Sequence, residues 1–313
     1  MTTVDDTIGA DDYDEFGLLH ENAEEWGLAY SGRPEVSRGF LEVEPGRQLS
    51  YIRWGSDDPE AVFLHGGGQN GHTWDSVILA LGRPAIAFDL PGHGRSYRRE
   101  DRNYGPWRNV EALEVAIPQL APDAAVVVGM SLGGATATHL AAKRQDLCRR
   151  AVIVDVTPQV NDPSRPMTTQ ERGSVALIGG PPTYESFEAM ADAAIALSPY
   201  RVASGVRRGV RHNAYRRADG LWAWRYDLFG PRPNGAGDWS DFVPLWDDVS
   251  AITVPTMLVR GGNSKYVTDG DVAEFQRRLP SVRYEVVDGA GHAVQSDRPL
   301  QLVALVEDFA FGD

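Results

Sequence analysis

Apolar runs without polar alternation recur along this chain, each ending in glycine or a short turn. They read "AVFLHGGG", "AIAFDLPGHG", "AAVVVGMS", "RRAVIVDVTP", "TVPTMLVRGG" and "VRYEVVDGAGH". A run that is apolar at every position must be covered on both faces, as strands of a parallel sheet are. Helix-like segments separate them, for example 132–145, 268–279 and 297–310; Asp297 reads as an N-cap, with Pro299 in the first turn. Upstream, "FLEV" and "LSYIRW" flank Glu44-Pro45-Gly46-Arg47, the pattern of a hairpin. The alternation predicts a doubly wound α/β sheet with its site at the carboxyl ends of the strands. One block, 157–250, contains no clear buried strand and is rich in Ala, Arg and aromatics. We read it as a mostly helical cap inserted after the sixth strand, between core segments 38–156 and 251–313. No internal repeat is evident.

With 313 residues, the chain suits one α/β domain carrying an insertion. Its single cysteine, Cys148, excludes internal disulfides, lies among charges before a predicted strand and is read as structural. No apolar run approaches ~18 residues, and no basic-then-apolar signal opens the chain, so a cytoplasmic protein with no membrane partner is expected. A net charge of −14 argues against nucleic acid, which needs clustered cations. Part of that acidity is local: Asp5, Asp6, Asp11, Asp12, Asp14, Glu15, Glu21, Glu24 and Glu25 crowd the first residues. Residues 1–37 are expected to form an acidic extension, disordered at first and helical near Trp26. The sequence leaves open whether it packs on the domain or helps a homodimer form.

The stretch "VVVGMSLGG" places Ser131 at a strand-to-helix turn. A serine exposed above a sheet in this way needs a strained backbone, and Gly129 and Gly133 remove the side chains that would clash. The turn also sets Ser131 at a helix N-terminus, which favours negative charge. A serine hydroxyl is a poor nucleophile without a base. His292, in Gly289-Ala290-Gly291-His292 after the strand-like "YEVVD", is the expected base. His212 is read as structural or substrate-lining, His139 as a packed helical residue, and His65 and His93 as loop braces. An oxyanion needs backbone donors. The N–H of Leu132 and that of Gly67 in "HGGGQN" are assigned, with Gly68 beside them.

Taken in order, "HGGG", "DLPGHGRS", "GMSLGG" and "GAGH" resemble the motifs of the α/β-hydrolase superfamily, from about residue 38 to the C-terminus. The resemblance implies an eight-stranded, mostly parallel sheet with a cap, and serine esterase or lactonase activity without metal or organic cofactor. In most relatives an aspartate follows strand seven. Here Lys265 stands at that place, in Gly261-Gly262-Asn263-Ser264-Lys265-Tyr266-Val267, and a lysine cannot accept an imidazole N–H. Some members place the acid after strand six, where "AVIVDVTP" supplies Asp155. That arrangement resembles certain short-chain bacterial esterases and the fungal lactonases that open the zearalenone ring. Asp155 is therefore the expected acid; Asp269, Asp271, Asp288 or no acid are the alternatives.

The cap segment "RHNAYRRADGLWAWRYD" resembles that of the same esterases. Trp222, Trp224 and Tyr226 alternate, so they either line an apolar pocket or pack the cap on the core; Trp74, after the oxyanion loop, is placed at the pocket edge. Arg207, Arg208, Arg211, Arg216 and Arg217 read as a solvated basic face, with a substrate carboxylate as the other reading. The expected reaction is cleavage of a small ester or lactone by Ser131, His292 and Asp155. C–C hydrolysis beside a ketone and a non-catalytic ligand receptor are the alternatives.

Overall fold

The computed structural model describes residues 13–162, 164–228 and 241–312. Six strands precede the cap: β1 (Val36–Glu44), β2 (Arg47–Trp54), β3 (Ala61–Leu64), β4 (Ala85–Phe88), β5 (Val126–Met130) and β6 (Ala151–Val154). The cap contains β7 (Thr183–Tyr184), β8 (Ala214–Arg216) and β9 (Trp222–Trp224), and the chain returns through β10 (Thr256–Gly261) and β11 (Arg283–Val287). The main sheet has eight strands in the order β1-β2-β4-β3-β5-β6-β10-β11. Only the β1–β2 and β2–β4 pairs are antiparallel. The predicted α/β-hydrolase fold, with its mostly parallel sheet, is the observed one.

Strand alternation explains why the apolar runs are unbroken. Val62, Leu64, Val127, Ile153 and Leu258 enter one core layer; Phe63, Val126, Val128, Val152, Val154 and Val259 enter the other. Successive side chains point to opposite faces, and both faces are dry. Val110 and Leu113 of helix 106–120, Leu140 of helix 132–143 and Phe275 of helix 269–278 cover the first layer. Ile78 of helix 75–81 and Leu302 and Val306 of helix 299–311 cover the second. Cys148 is fully buried in the first layer.

The cap is less helical than expected. Besides helices 187–196 and 203–213 it carries a three-stranded sheet, β7-β9-β8, which is too short to give a strand-length apolar run. Its own small core gathers Met190, Val206, Val210, Trp224 and Tyr226. Helix 245–251, inside the expected cap range, packs Leu245 and Val249 into the main core.

The acidic arm is helical up to Trp26, as expected, and takes one of the two courses that the sequence left open. The stretch up to Asp12 lies outside the described residues, but residues 13–37 pack on the domain. Phe16 and Leu19 bury in the second core layer, and Asn22 Nδ2 of helix 19–26 donates to Ser76 Oγ at 2.8 Å. Acidity concealed this docking because the charges themselves find partners. Glu15 pairs with Arg38 at 2.9 Å, and Arg38 pairs with buried Asp89 at 2.8 Å.

Candidate active site

Two strand ends carry the same unusual backbone. Ser131 after β5 and Asp155 after β6 both have φ of 50°, a region that L-residues rarely adopt. The neighbouring strand holds each of them. The Ser131 N–H donates to the Val154 carbonyl at 3.0 Å, and the Asp155 N–H to the Val259 carbonyl at 2.7 Å. The Ser131 turn requires its glycines. A Cβ on Gly129 would lie 2.2 Å from the Gly133 carbonyl oxygen, and one on Gly133 would lie 2.1 Å from that of Leu64.

Asp155 and His292 meet. The Nδ1–H of His292 donates to Asp155 Oδ2 at 2.7 Å, which leaves Nε2 buried and without a hydrogen bond. Asp155 is completely buried, and three donors compensate its desolvation: His292, the Gly261 N–H at 2.9 Å and the Ser264 hydroxyl at 2.5 Å. Tyr266 stacks on the imidazole with centroids 3.8 Å apart. The alternative acids are engaged elsewhere. Asp269 starts helix 269–278 and pairs with Arg260, Asp271 pairs with Arg165, and Asp288 is exposed.

Ser131 and His292 line one cavity of about 1100 Å³, counting the space that opens to solvent. Gly67 and Gly68 lie on its wall; Leu132 is the first residue of its helix, so its N–H has no partner within that helix. Several polar side chains shape this loop. Gln69 Oε1 accepts the Gly66 N–H at 3.0 Å, and Asn213 Nδ2 donates to the Gly68 carbonyl at 2.6 Å. His65 is a brace, as expected. It donates from Nδ1 to the Gly66 carbonyl and accepts the Leu90 N–H at Nε2, and burial keeps its pKa low. His93 bonds the Pro91 carbonyl, and burial together with His65 pulls its pKa down to about 3. His139 sits in helix 132–143 and pairs with Asp248.

Trp224 and Tyr226 line the cavity and stack at 5.7 Å, whereas Trp222 faces Phe187 within the cap. Trp74 is not at the pocket edge. It is fully buried in the second core layer against Phe63, because the turn at 71–74 points its ring under the loop. Asp297 is no N-cap either; Arg298 holds that position, and Asp297 Oδ2 accepts the Gly291 N–H at 2.8 Å. The basic face is largely matched: Arg207 pairs with Glu188, Arg208 with Glu25 and Glu21, and Arg217 with Asp219.

Three site features escaped the sequence reading. Ser264 adjoins the position where Lys265 drew attention, but nothing in a lone serine signals a bond to an acid 109 residues away. Glu25 and Trp26 of the arm wall the cavity, and so does Arg201. A cluster beneath the arm also went unseen. His72, Asp75 and His212 bring ligand-type atoms within 4.8 Å of one another. The two rings stack at 4.0 Å and 14°, so their lone pairs run side by side instead of converging on an ion. His72 donates to Asp75 at 2.9 Å and lies 3.4 Å from both Glu15 and Arg38, while Tyr13 bonds His212 at 2.5 Å. Burial opposes the protonated form of His72, but Asp75 and Glu15 outweigh it and raise its pKa; burial and the His72 charge hold His212 well below its usual value. The arrangement is a hydrogen-bonded clamp for the arm.

No helix among the described residues is long and apolar enough to cross a membrane. The chain is 49% identical over 307 residues to esterase Rv0045c of Mycobacterium tuberculosis, covering 98% of both. A crystal structure of that esterase superposes with a TM-score of 0.81 over 95% of this chain and 98% of that one, at 46% identity. It is 28% identical to 2-(acetamidomethylene)succinate hydrolase of Mesorhizobium japonicum, over 85% of this chain and 93% of that one. With residues 61–305 matching its pattern, the chain belongs to the alpha/beta hydrolase family.

Proposed function

We propose that the protein is a serine hydrolase that cleaves carboxylic esters, open-chain or lactone, through an acyl-enzyme. The observation that carries this reading is the bond from His292 Nδ1–H to Asp155, which fixes the tautomer whose free Nε2 is a base in the cavity that Ser131 lines. In the reactive complex Nε2 takes the proton from Ser131 Oγ as that oxygen attacks the ester carbonyl carbon. Asp155 holds the ring and stabilises the imidazolium. The Leu132 and Gly67 N–H groups receive the oxyanion. As the tetrahedral intermediate collapses, imidazolium gives its proton to the departing alkoxide. Water, deprotonated by the same nitrogen, then releases the acid and restores Ser131. Trp224, Tyr226 and Gly68 contact the bound ester. The name of the 49% identical relative supports ester chemistry. A fluorophosphonate probe should label wild type quickly and Ser131→Ala not at all. Equal labelling, or ester turnover that survives in Ser131→Ala, overturns the reading.

A further inference from the structure

Arg201 lies in the turn between helices 187–196 and 203–213. It lines the cavity that holds Ser131 and also a second cavity at His292, walled by Arg172, Tyr200 and Lys265. Its Nη2 donates to the Gly205 carbonyl at 3.1 Å, while its Nε is buried with no hydrogen-bond partner. Among the described residues no carboxylate makes an ion pair with it. The acids that influence it most are already taken: Glu25 pairs with Arg208, and Asp297 accepts the Gly291 N–H. Burial also raises the pKa of Asp297, which weakens it as a counter-charge.

A guanidinium cannot lose its proton at ordinary pH, so this half-buried one stays charged with no acid paired to it. The neighbouring Arg207, Arg208 and Arg217 all have acids within reach. Arg201, which has no acid paired with it among the described residues, lines both cavities that His292 lines. A planar, bidentate donor set in such a place suits a carboxylate.

Building on the ester-hydrolase reading above, we propose that the substrate is an ester that also bears a carboxylate, such as a half-ester of a dicarboxylic acid, and that Arg201 binds this carboxylate while the ester carbonyl sits at Ser131. The carboxylate supplies the acid that this guanidinium lacks, and the two-point hold fixes the distance between the charged end and the scissile bond.

The test compares 4-nitrophenyl half-esters of glutaric, adipic, pimelic and suberic acids with the same compounds methylated at the free acid. A second pair, 4-acetoxybenzoate and its methyl ester, places the charge on the alcohol side. In wild type at least one acid should exceed its methylated counterpart in kcat/KM. Arg201→Gln should lower that acid-to-neutral ratio by about tenfold to a hundredfold, with Arg201→Lys in between. The ratio cancels any general damage to the variant. If Arg201→Gln does not fold, the wild-type and Arg201→Lys ratios decide. A wild type that prefers every neutral ester, or a ratio that Arg201→Gln leaves unchanged, overturns the proposal. Wild type inactive on all these esters would instead overturn the hydrolase reading.

Discussion

The Ser264 hydroxyl and the His292 imidazole donate to the same oxygen, Asp155 Oδ2, at 2.5 and 2.7 Å. Ser264 thus acts on the imidazole through the carboxylate and through Tyr266, whose N–H its Oγ accepts at 3.2 Å, as a positioning residue. Removing the hydroxyl should loosen the ring without altering the wall of the cavity that Ser131 lines. Ser264→Ala is expected to lower kcat about tenfold or more with KM nearly unchanged, because a loosened imidazole is less often aligned with Ser131. Ser264→Thr should restore most of it. Steady-state kinetics separates the two constants; a rise in KM alone would contradict the positioning role.

The acid assignment predicts an asymmetry among carboxylates. Asp155→Asn keeps the shape but presents the wrong group to Nδ1, and kcat/KM should fall by about 10⁴-fold. Asp269→Asn and Asp288→Asn change exposed residues and should stay within roughly twofold of wild type. Loss of activity in Asp269→Asn, with Asp155→Asn active, would move the acid to the segment after β10; the same result in Asp288→Asn would move it to the turn after β11.

Gly129→Ala tests the turn that presents Ser131. The added methyl would meet the Gly133 carbonyl oxygen at 2.2 Å, against backbone that cannot move without displacing the helix start. A loss of about 3 kcal/mol or failure to fold is expected, since overpacking against rigid structure is costly. Chemical denaturation reads the change, and a variant as stable as wild type would show that the turn at Ser131 has room for the methyl group.

The clamp under the arm predicts pH-dependent stability. Burial pushes the Glu15 carboxyl upward, but the His72 hydrogen bond and the Arg38 and Arg95 charges outweigh it and pull its pKa from 4.5 to about 2. A depressed carboxyl stabilises the fold fully above its unfolded pKa and loses that contribution as pH falls. Glu15 should therefore contribute on the order of 3 kcal/mol at neutral pH, fading between about pH 4.5 and 2. Glu15→Gln should lower Tm at pH 7, and the gap to wild type should close as the solution is acidified through that window. Asp89, pulled from 3.8 to about 2 against its burial by Arg38, fades over the same range in both proteins. A gap that stays constant with pH would show that Glu15 contributes shape only.

The amino-acid sequence by itself determined the doubly wound sheet, the turn at Ser131 and the histidine loop. Each rests on local rules: apolar runs buried on both faces, and glycines where a Cβ would strike backbone. Asp155 was named from the resemblance to members with the acid after strand six, among alternatives that the sequence left open, and folding bonds it to His292. Trp74 was misplaced since an aromatic after the oxyanion loop reads the same whether its ring turns outward or under the turn. Tertiary structure alone decided the rest. Ser264 reaches Asp155 from 109 residues away, Asp297 braces Gly291 instead of capping a helix, and the acidic arm docks through Glu15 and Asn22. Arg201 stands unpaired only because folding assigns the nearby acids to other partners. Periodicity records which face of an element is dry; which charges meet across the fold is set by packing between distant segments, and no local pattern encodes it.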